Sequence, residues 1–346
     1  MTRILTTTLV LSFFALTSFA QQNVILQSNG ETTIFSSSDA FVDAYNAAEN
    51  GDIIYLPGLQ YSSPSNIEKS ITVYGTGYHP DHTEATGRTR ISGLRFRDGS
   101  SGSHFEGIYV SSDIEFAGVL IENITLKRLH VNGDIEFNRI SSDPCNECNN
   151  ITINECVFDE FNGRYSDITN LNLLNNVTQK ITYIDNSNDG ITNVALIANN
   201  LIIRDNYEAL RYTYNSLIEN NIFIRYGLWG SLFSHYHGNN FKNNVLSENP
   251  TANEQNTWID NYVNVDEEVL FIEFSESYSY ESNYHLQDPA SYQGTTGNQV
   301  GIFGGLNPFK ENTRPSNPQI LSKNIQNSTN EDGNLGVEIE VEAQEE

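Results

Sequence analysis

Positive charge is scarce in this chain. Eighteen lysines and arginines stand against 44 aspartates and glutamates, a formal charge of −26 over 346 residues, so nucleic acid and anionic membrane surfaces would repel it. The imbalance is steepest after Glu248, where residues 249–346 hold 17 acidic and 3 basic side chains. Cysteine is nearly absent, with Cys145, Cys148 and Cys156 making three. Cys145-Asn146-Glu147-Cys148 has the spacing of half a zinc site, but structural zinc takes four ligands and no second pair is present. Beyond residue 20 no apolar run is long enough to span a bilayer. Between residues 90 and 250 no segment has helical periodicity, which argues against α-rich folds.

What the first twenty residues do have is the layout of a secretory signal. Arg3 supplies the positive start, residues 4–17 are largely apolar, and Ser18-Phe19-Ala20 places small residues at the cleavage positions. Cleavage near Ala20 would leave a secreted protein, extracellular or periplasmic, beginning near Gln21. No cysteine follows the apolar stretch, so a lipid anchor is not expected. Secretion makes one disulfide the expected use of the cysteines, closing an insertion over residues 141–149.

The dominant pattern lies within residues 150–248, where two adjacent polar residues, usually Asn-Asn, precede three mostly apolar ones. It recurs at Asn154-Glu155-Cys156-Val157-Phe158, Asn175-Asn176-Val177-Thr178-Gln179, Asn199-Asn200-Leu201-Ile202-Ile203, Asn220-Asn221-Ile222-Phe223-Ile224 and Asn243-Asn244-Val245-Leu246-Ser247, with starts 21, 24, 21 and 23 residues apart. Self-similarity at that period marks a solenoid, because one coil cannot bury its apolar side without a neighbour. Leucine-rich repeats share the period but need a Leu-dominated consensus and usually a helical return. Mixed Ile, Val, Leu and Phe without helical periodicity fit a parallel β-helix better. Asn doublets suit turns and vertical ladders of inward side chains, which makes structure their first reading.

Taken in order, residues 21–35 alternate as first strands. Ser37-Ser38-Asp39 then offers capping chemistry for a short helix through Phe41, Val42, Ala44, Tyr45, Ala47 and Ala48, ending near Asn50-Gly51. Such a helix would cover the open end of a solenoid. Gly51-Asp52-Ile53-Ile54-Tyr55-Leu56-Pro57-Gly58-Leu59-Gln60-Tyr61 follows, then Ile71-Thr72-Val73-Tyr74-Gly75-Thr76-Gly77. Together with the cap helix, these segments resemble the N-terminal opening of right-handed parallel β-helix proteins in the pectate-lyase-like group, including the chondroitinase-B and alginate-lyase type. The resemblance covers about 40 residues, and the repeats extend it to roughly residue 250.

The expected fold is therefore all-β: a right-handed parallel β-helix with a short N-terminal cap helix and a C-terminal β-hairpin cap. The expected divisions are a signal over 1–20, the β-helix over 21–250, and irregular final coils with a cap over 251–346. In that last part, residues 269–274 read as a strong strand. Residues 320–326 and 335–343 read as a hairpin whose second arm alternates Val337, Ile339 and Val341 with Glu338, Glu340 and Glu342.

Two features invite a functional reading. Asp113-Ile114-Glu115-Phe116 and Asp134-Ile135-Glu136-Phe137 repeat at 21 residues, stacking like charges that Arg95 would relieve or a cation would bridge. Five residues on from each Asn doublet stand Asp159, Lys180, Arg204, Arg225 and Glu248, a cationic column closed by an acid at each end. Lyases in the resembling group act on uronic acids. They neutralise a carboxylate, remove the C5 proton and protonate the leaving oxygen, tasks suited to Lys, Arg, His or Tyr and sometimes helped by calcium. That resemblance makes Lys180, Arg204, Arg225 and His235 catalytic candidates. Tyr183, Tyr207, Arg211, Tyr226, Trp229 and His237 beside them become candidates for holding the polysaccharide.

Asp185 and Asp189, in Asp185-Asn186-Ser187-Asn188-Asp189-Gly190, are the candidate calcium ligands, although Leu196 stands where the bidentate Glu of a calcium loop belongs and the same residues make an ordinary turn. Asn188-Asp189-Gly190-Ile191 also resembles a polygalacturonase fragment, without that family's companion elements. His79, Asp81, His82 and Glu84, in the polar excursion at 78–90, admit a metal-ligand reading or a solvated loop. The expected protein is a monomer that binds a polysaccharide and, as an enzyme, would cleave it by β-elimination. The alternative is a non-catalytic surface, adhesion or structural solenoid.

Overall fold

The structure, a computed structural model, describes residues 23–137, 145–184, 195–205, 208–225, 231–250 and 255–342. Over these residues the chain is a parallel β-solenoid of about nine turns. One column of strands shows the stacking: Thr72 pairs with His104, His104 with Thr125, Thr125 with Thr152, Thr152 with Asn172, Asn172 with Leu196, Leu196 with Leu217, Leu217 with Asn240 and Asn240 with Thr257. The interior fills with matched side chains. Phe96, Phe116, Phe137 and Phe161 form a column with 4.9, 4.4 and 5.2 Å between successive ring centroids, the first three stacked and Phe161 tilted. Each fully buried Leu, Ile or Phe contributes about 1.5–3 kcal/mol relative to exposure.

Both members of the Asn doublet now have a physical role. The first, at Asn175, Asn199, Asn220 and Asn243, holds φ between 50° and 59°, a left-handed corner that Asn tolerates better than other side chains. The second forms the ladder. Asn176, Asn200, Asn221 and Asn244 each donate from Nδ2 to the next Oδ1 at 2.9–3.0 Å, ending on Asn261. Each also donates to a carbonyl of the preceding coil, Ile153, Leu173, Ile197 and Ile218 in turn.

The open N-terminal end is covered by the helix Ala40–Ala47, which buries Ala40, Phe41, Ala44 and Tyr45. Lys69 Nζ donates to the carbonyls of Tyr45, Asn46 and Ala48 at 2.7–3.1 Å, placing a cation where the helix exposes unsatisfied acceptors. Cys145 and Cys148 form a disulfide within the strand Cys145–Asn149, and Cys156 is a buried free thiol.

The C-terminal part differs from a simple end cap. Val157, Val177, Leu201, Ile222 and Val245 stand level on one outer face of the coils. They form a second apolar layer with Leu270, Phe271, Tyr284, Leu286, Val300, Ile302 and Phe309. The chain then returns toward the first coils as a strap. Gly301 N donates to Asn220 O, Asn175 Nδ2 to the carbonyls of Ile302 and Gly304, Lys310 N to Glu155, Arg128 to Arg314 O, and Ser316 to Glu106. The hairpin Gln319–Ile325 and Val337–Glu342 exists as expected; the strap delivers it to the N-terminal coils, where Ile320 and Lys323 border a groove with Tyr55, Pro57 and Tyr74.

The expected strand over 269–274 is not formed. Glu267–Leu270 is a short helix. Asp266 caps it by accepting from Glu268 N at 2.9 Å, with Glu267 and Glu268 in the first turn, so local capping overrides the β preference of Val269 and Ile272.

Candidate functional site

Strand register decides which outward side chains are neighbours. The expected column needs one correction, because Glu160 and not Asp159 lies level with Lys180. The coil containing Glu155 is one residue out of step with the doublet pattern. Glu155 takes the left-handed corner, with φ +54° against +53° for Asn175. Cys156 takes the ladder place and donates its backbone N–H to Asn176 Oδ1 at 2.9 Å.

Lys180, in the strand Val177–Ile184, ion-pairs with Glu160 at 3.3 Å. Arg204 and Arg225 are partners in register, and Arg225 is bound to Glu248 through Nε at 3.2 Å. Ladder pairing between the coils of Lys180 and Arg204 ends at Thr178 and Ile202. Arg204 instead touches Gln179, whose Oε1 accepts from Nη1 at 3.3 Å, while Gln179 Nε2 donates to Asp159 at 2.8 Å. The structure thus joins Arg204 to Arg225, and gives Lys180 to Glu160.

A second column is more continuous. Tyr183, Tyr212 and His235 hold φ of 56°, 49° and 50°, so the chain turns a corner at each and their rings project together. Tyr183 and Tyr212 stack at 4.7 Å, and His235 lies 4.6 Å from Tyr212. Guanidinium groups cover the tyrosines: Arg164 lies 4.5 Å from the Tyr165 ring and 5.3 Å from Tyr183, and Arg211 lies 4.8 Å from Tyr212. Arg211 also donates to the Tyr212 hydroxyl at 3.3 Å, which raises the guanidinium pKa further. Beside it the rings of Tyr214 and His237 lie 4.3 Å apart, tilted by 41°. His235 and His237 are exposed. Tyr207, Tyr226, Trp229, Asp185 and Asp189 lie outside the described residues.

Among the described residues no three His, Cys, Asp or Glu side chains converge as metal ligands. The acidic repeat behaves as a charge ladder: Glu115 is level with Glu136, and Arg95 ion-pairs with Glu115 at 3.4 Å. Of the excursion residues, Tyr78, His79 and Thr83 are buried, and Tyr78 N and His79 N donate to Thr313 Oγ1 on the strap.

One cluster was not legible in the sequence. His130 Nδ1 lies 2.8 Å from the Tyr280 hydroxyl, and Arg88 Nη1 approaches the same hydroxyl at 3.5 Å. Burial, helped by Arg88, pushes the His130 pKa down to about 4, and burial raises that of Tyr280 to about 12. Both are neutral near pH 7. His130 and Arg88 stand 150 and 192 positions from Tyr280, so no period relates them; the Tyr278-Ser279-Tyr280 alternation was the available signal.

In comparisons with known proteins, no family model, no curated protein and no solved structure matches this chain.

Proposed function

We propose that this protein is secreted and binds a polysaccharide along the flank carrying Tyr183, Tyr212 and His235. One observation carries the reading: three rings stand in a column at about one strand spacing, the tyrosines stacked and His235 tilted against Tyr212, with guanidinium groups of Arg164 and Arg211 against the tyrosines. Aromatic faces offer apolar contact to the C–H faces of sugar rings, and the arginines add donors for hydroxyl or carboxylate oxygens. In a chain of charge −26, Arg164 and Arg211 bring two cations to this flank.

Binding of purified protein to alginate, pectate, chondroitin and neutral glycans, measured by calorimetry, tests this. At least one should bind, and Tyr212→Ala should weaken it about tenfold, about 1.4 kcal/mol. Absence of binding to every glycan, or an unchanged affinity for Tyr212→Ala, would refute the proposal.

A cleaving role is the second reading, favoured by the Arg211 contact to the Tyr212 hydroxyl. A phenol beside a guanidinium is suited to exchange a proton with a uronic acid C5. Lys180 and Arg225 are already committed to Glu160 and Glu248, which moves weight from the cationic column to the aromatic one. Appearance of unsaturated products from alginate, pectate or chondroitin, followed by absorbance with and without calcium, distinguishes an elimination enzyme from a binding protein.

A further inference from the structure

A separate pocket lies between the solenoid face and the C-terminal cover, where the loop at 276–278 closes over the coils. Its volume is about 190 Å³. That is below the range of about 300–1,000 Å³ usual for pockets that enclose drug-sized ligands, which limits it to a single small ring. Val157, Val177 and Ile203 supply an apolar floor, while Asp159, Gln179, His130, Glu276 and Tyr278 bring polar groups to the wall. The floor is built, because the same valines belong to the apolar layer under the cover.

The wall chemistry selects the ligand. Asp159 and Glu276 are hydrogen-bond acceptors that repel an anion. His130 is held through Nδ1 by Tyr280, and burial keeps its ring uncharged near pH 7. Asp159 is oriented by Gln179, which in turn is fixed by Arg204. A ring with one apolar face and a rim of hydroxyls satisfies both surfaces, whereas a flat apolar ligand would leave the acceptors without donors.

We propose that this pocket binds one neutral sugar residue, free or at the end of a chain, with its C–H face on Val157, Val177 and Ile203 and its hydroxyls donating to Asp159 and Glu276. The site is independent of the aromatic flank, and either can exist without the other.

The test is ligand-observed NMR on the full chain with glucose, galactose, mannose, xylose and glucuronate as probes. At least one neutral sugar should bind with a millimolar or tighter constant, and glucuronate at least tenfold more weakly than the best of them. Val177→Phe, which fills the floor, and Ser277→Trp, which obstructs the mouth from an exposed loop position, should each reduce binding at least tenfold. Thermal melting checks that each variant folds; should Val177→Phe fail, Ser277→Trp decides alone. No neutral sugar binding, glucuronate binding as well as or better than the best neutral sugar, or unaltered binding in a folded variant would overturn the assignment.

Discussion

Arg128 donates from Nε to Glu155 Oε2 at 3.0 Å, and both side chains are buried. Both hold left-handed backbone, φ +51° and +54°, which costs on the order of 1–3 kcal/mol at each residue and persists only where surroundings impose it. What they gain is a grip on the strap, through Arg314 O and Lys310 N. Glu106, also buried, adds Ser316. Arg128→Met would leave buried Glu155 without its main partner and take one cation, 3.2 Å away, from Glu106, which keeps His104, Lys127 and Ser316; it should lower stability by about 3–5 kcal/mol. A urea titration reads the loss, and trypsin should cut faster after Lys310, the Arg314 bond being closed to it by Pro315. Wild-type stability together with wild-type protease resistance would show that this cluster does not hold the strap.

The two members of an Asn doublet should respond differently to substitution. Asn221→Ala removes the acceptor for two groups of Asn200 and the donor for Ile197 O, leaving buried polar atoms unpaired at a cost of about 3 kcal/mol or more. Asn243→Gly keeps the left-handed corner accessible and should cost less than about 1 kcal/mol. Equal losses in thermal melts would contradict this division of labour.

Asp134 predicts a pH effect. Burial first, then Glu160, Glu136 and Asp113, raise its pKa to about 6, so the folded state binds a proton more tightly than the unfolded chain. Its ionisation therefore opposes folding above pH 6, and the penalty fades as pH falls from 6 toward 4. Asp134→Asn retains the acceptor for Glu160 N and should stabilise by about 1–2 kcal/mol at pH 7.5, after allowance for partial solvent screening. The gain should disappear near pH 4. A constant difference across that window would assign the effect to something other than charge.

If glycan binding follows the aromatic column, Arg164→Ala and Arg211→Ala should each weaken it about three- to tenfold. Lys180→Met should change affinity less than twofold, because Glu160 already occupies that ammonium. Arg204→Glu should weaken an acidic glycan more than a neutral one. Affinities measured at two salt concentrations separate charge from stacking. A dominant loss in Lys180→Met would restore the cationic column as the binding surface.

The solenoid was readable because the Asn doublet is forced twice, by a left-handed corner and by a ladder that only a side-chain amide completes. The column was misread by one place at Glu155-Cys156, where the corner residue is a buried carboxylate serving the strap and the ladder ends on Cys156. The alternation of Val337, Ile339 and Val341 correctly marked a strand. Val269 to Phe274 looked like another strand, but Asp266 determines the helix from outside the apolar run. The pairing of His130 with Tyr280, and of Arg128 with the strap, joins residues 150 or more positions apart. Such contacts depend on the folded path of the C-terminal part and leave no periodic mark.

A repeat array ordinarily lengthens by duplicating a coil, since each turn touches only its neighbours. Here the returning segment meets Asn220, Asn175, Glu155, Arg128, Glu106 and Gly75 in sequence, and so acts as a ruler laid along the axis. One extra coil between Asn176 and Asn200 would displace the marks by about 4.8 Å and require a matching insertion near residue 303. The number of turns in this protein is thereby tied to a second stretch of sequence, and the two can change only together.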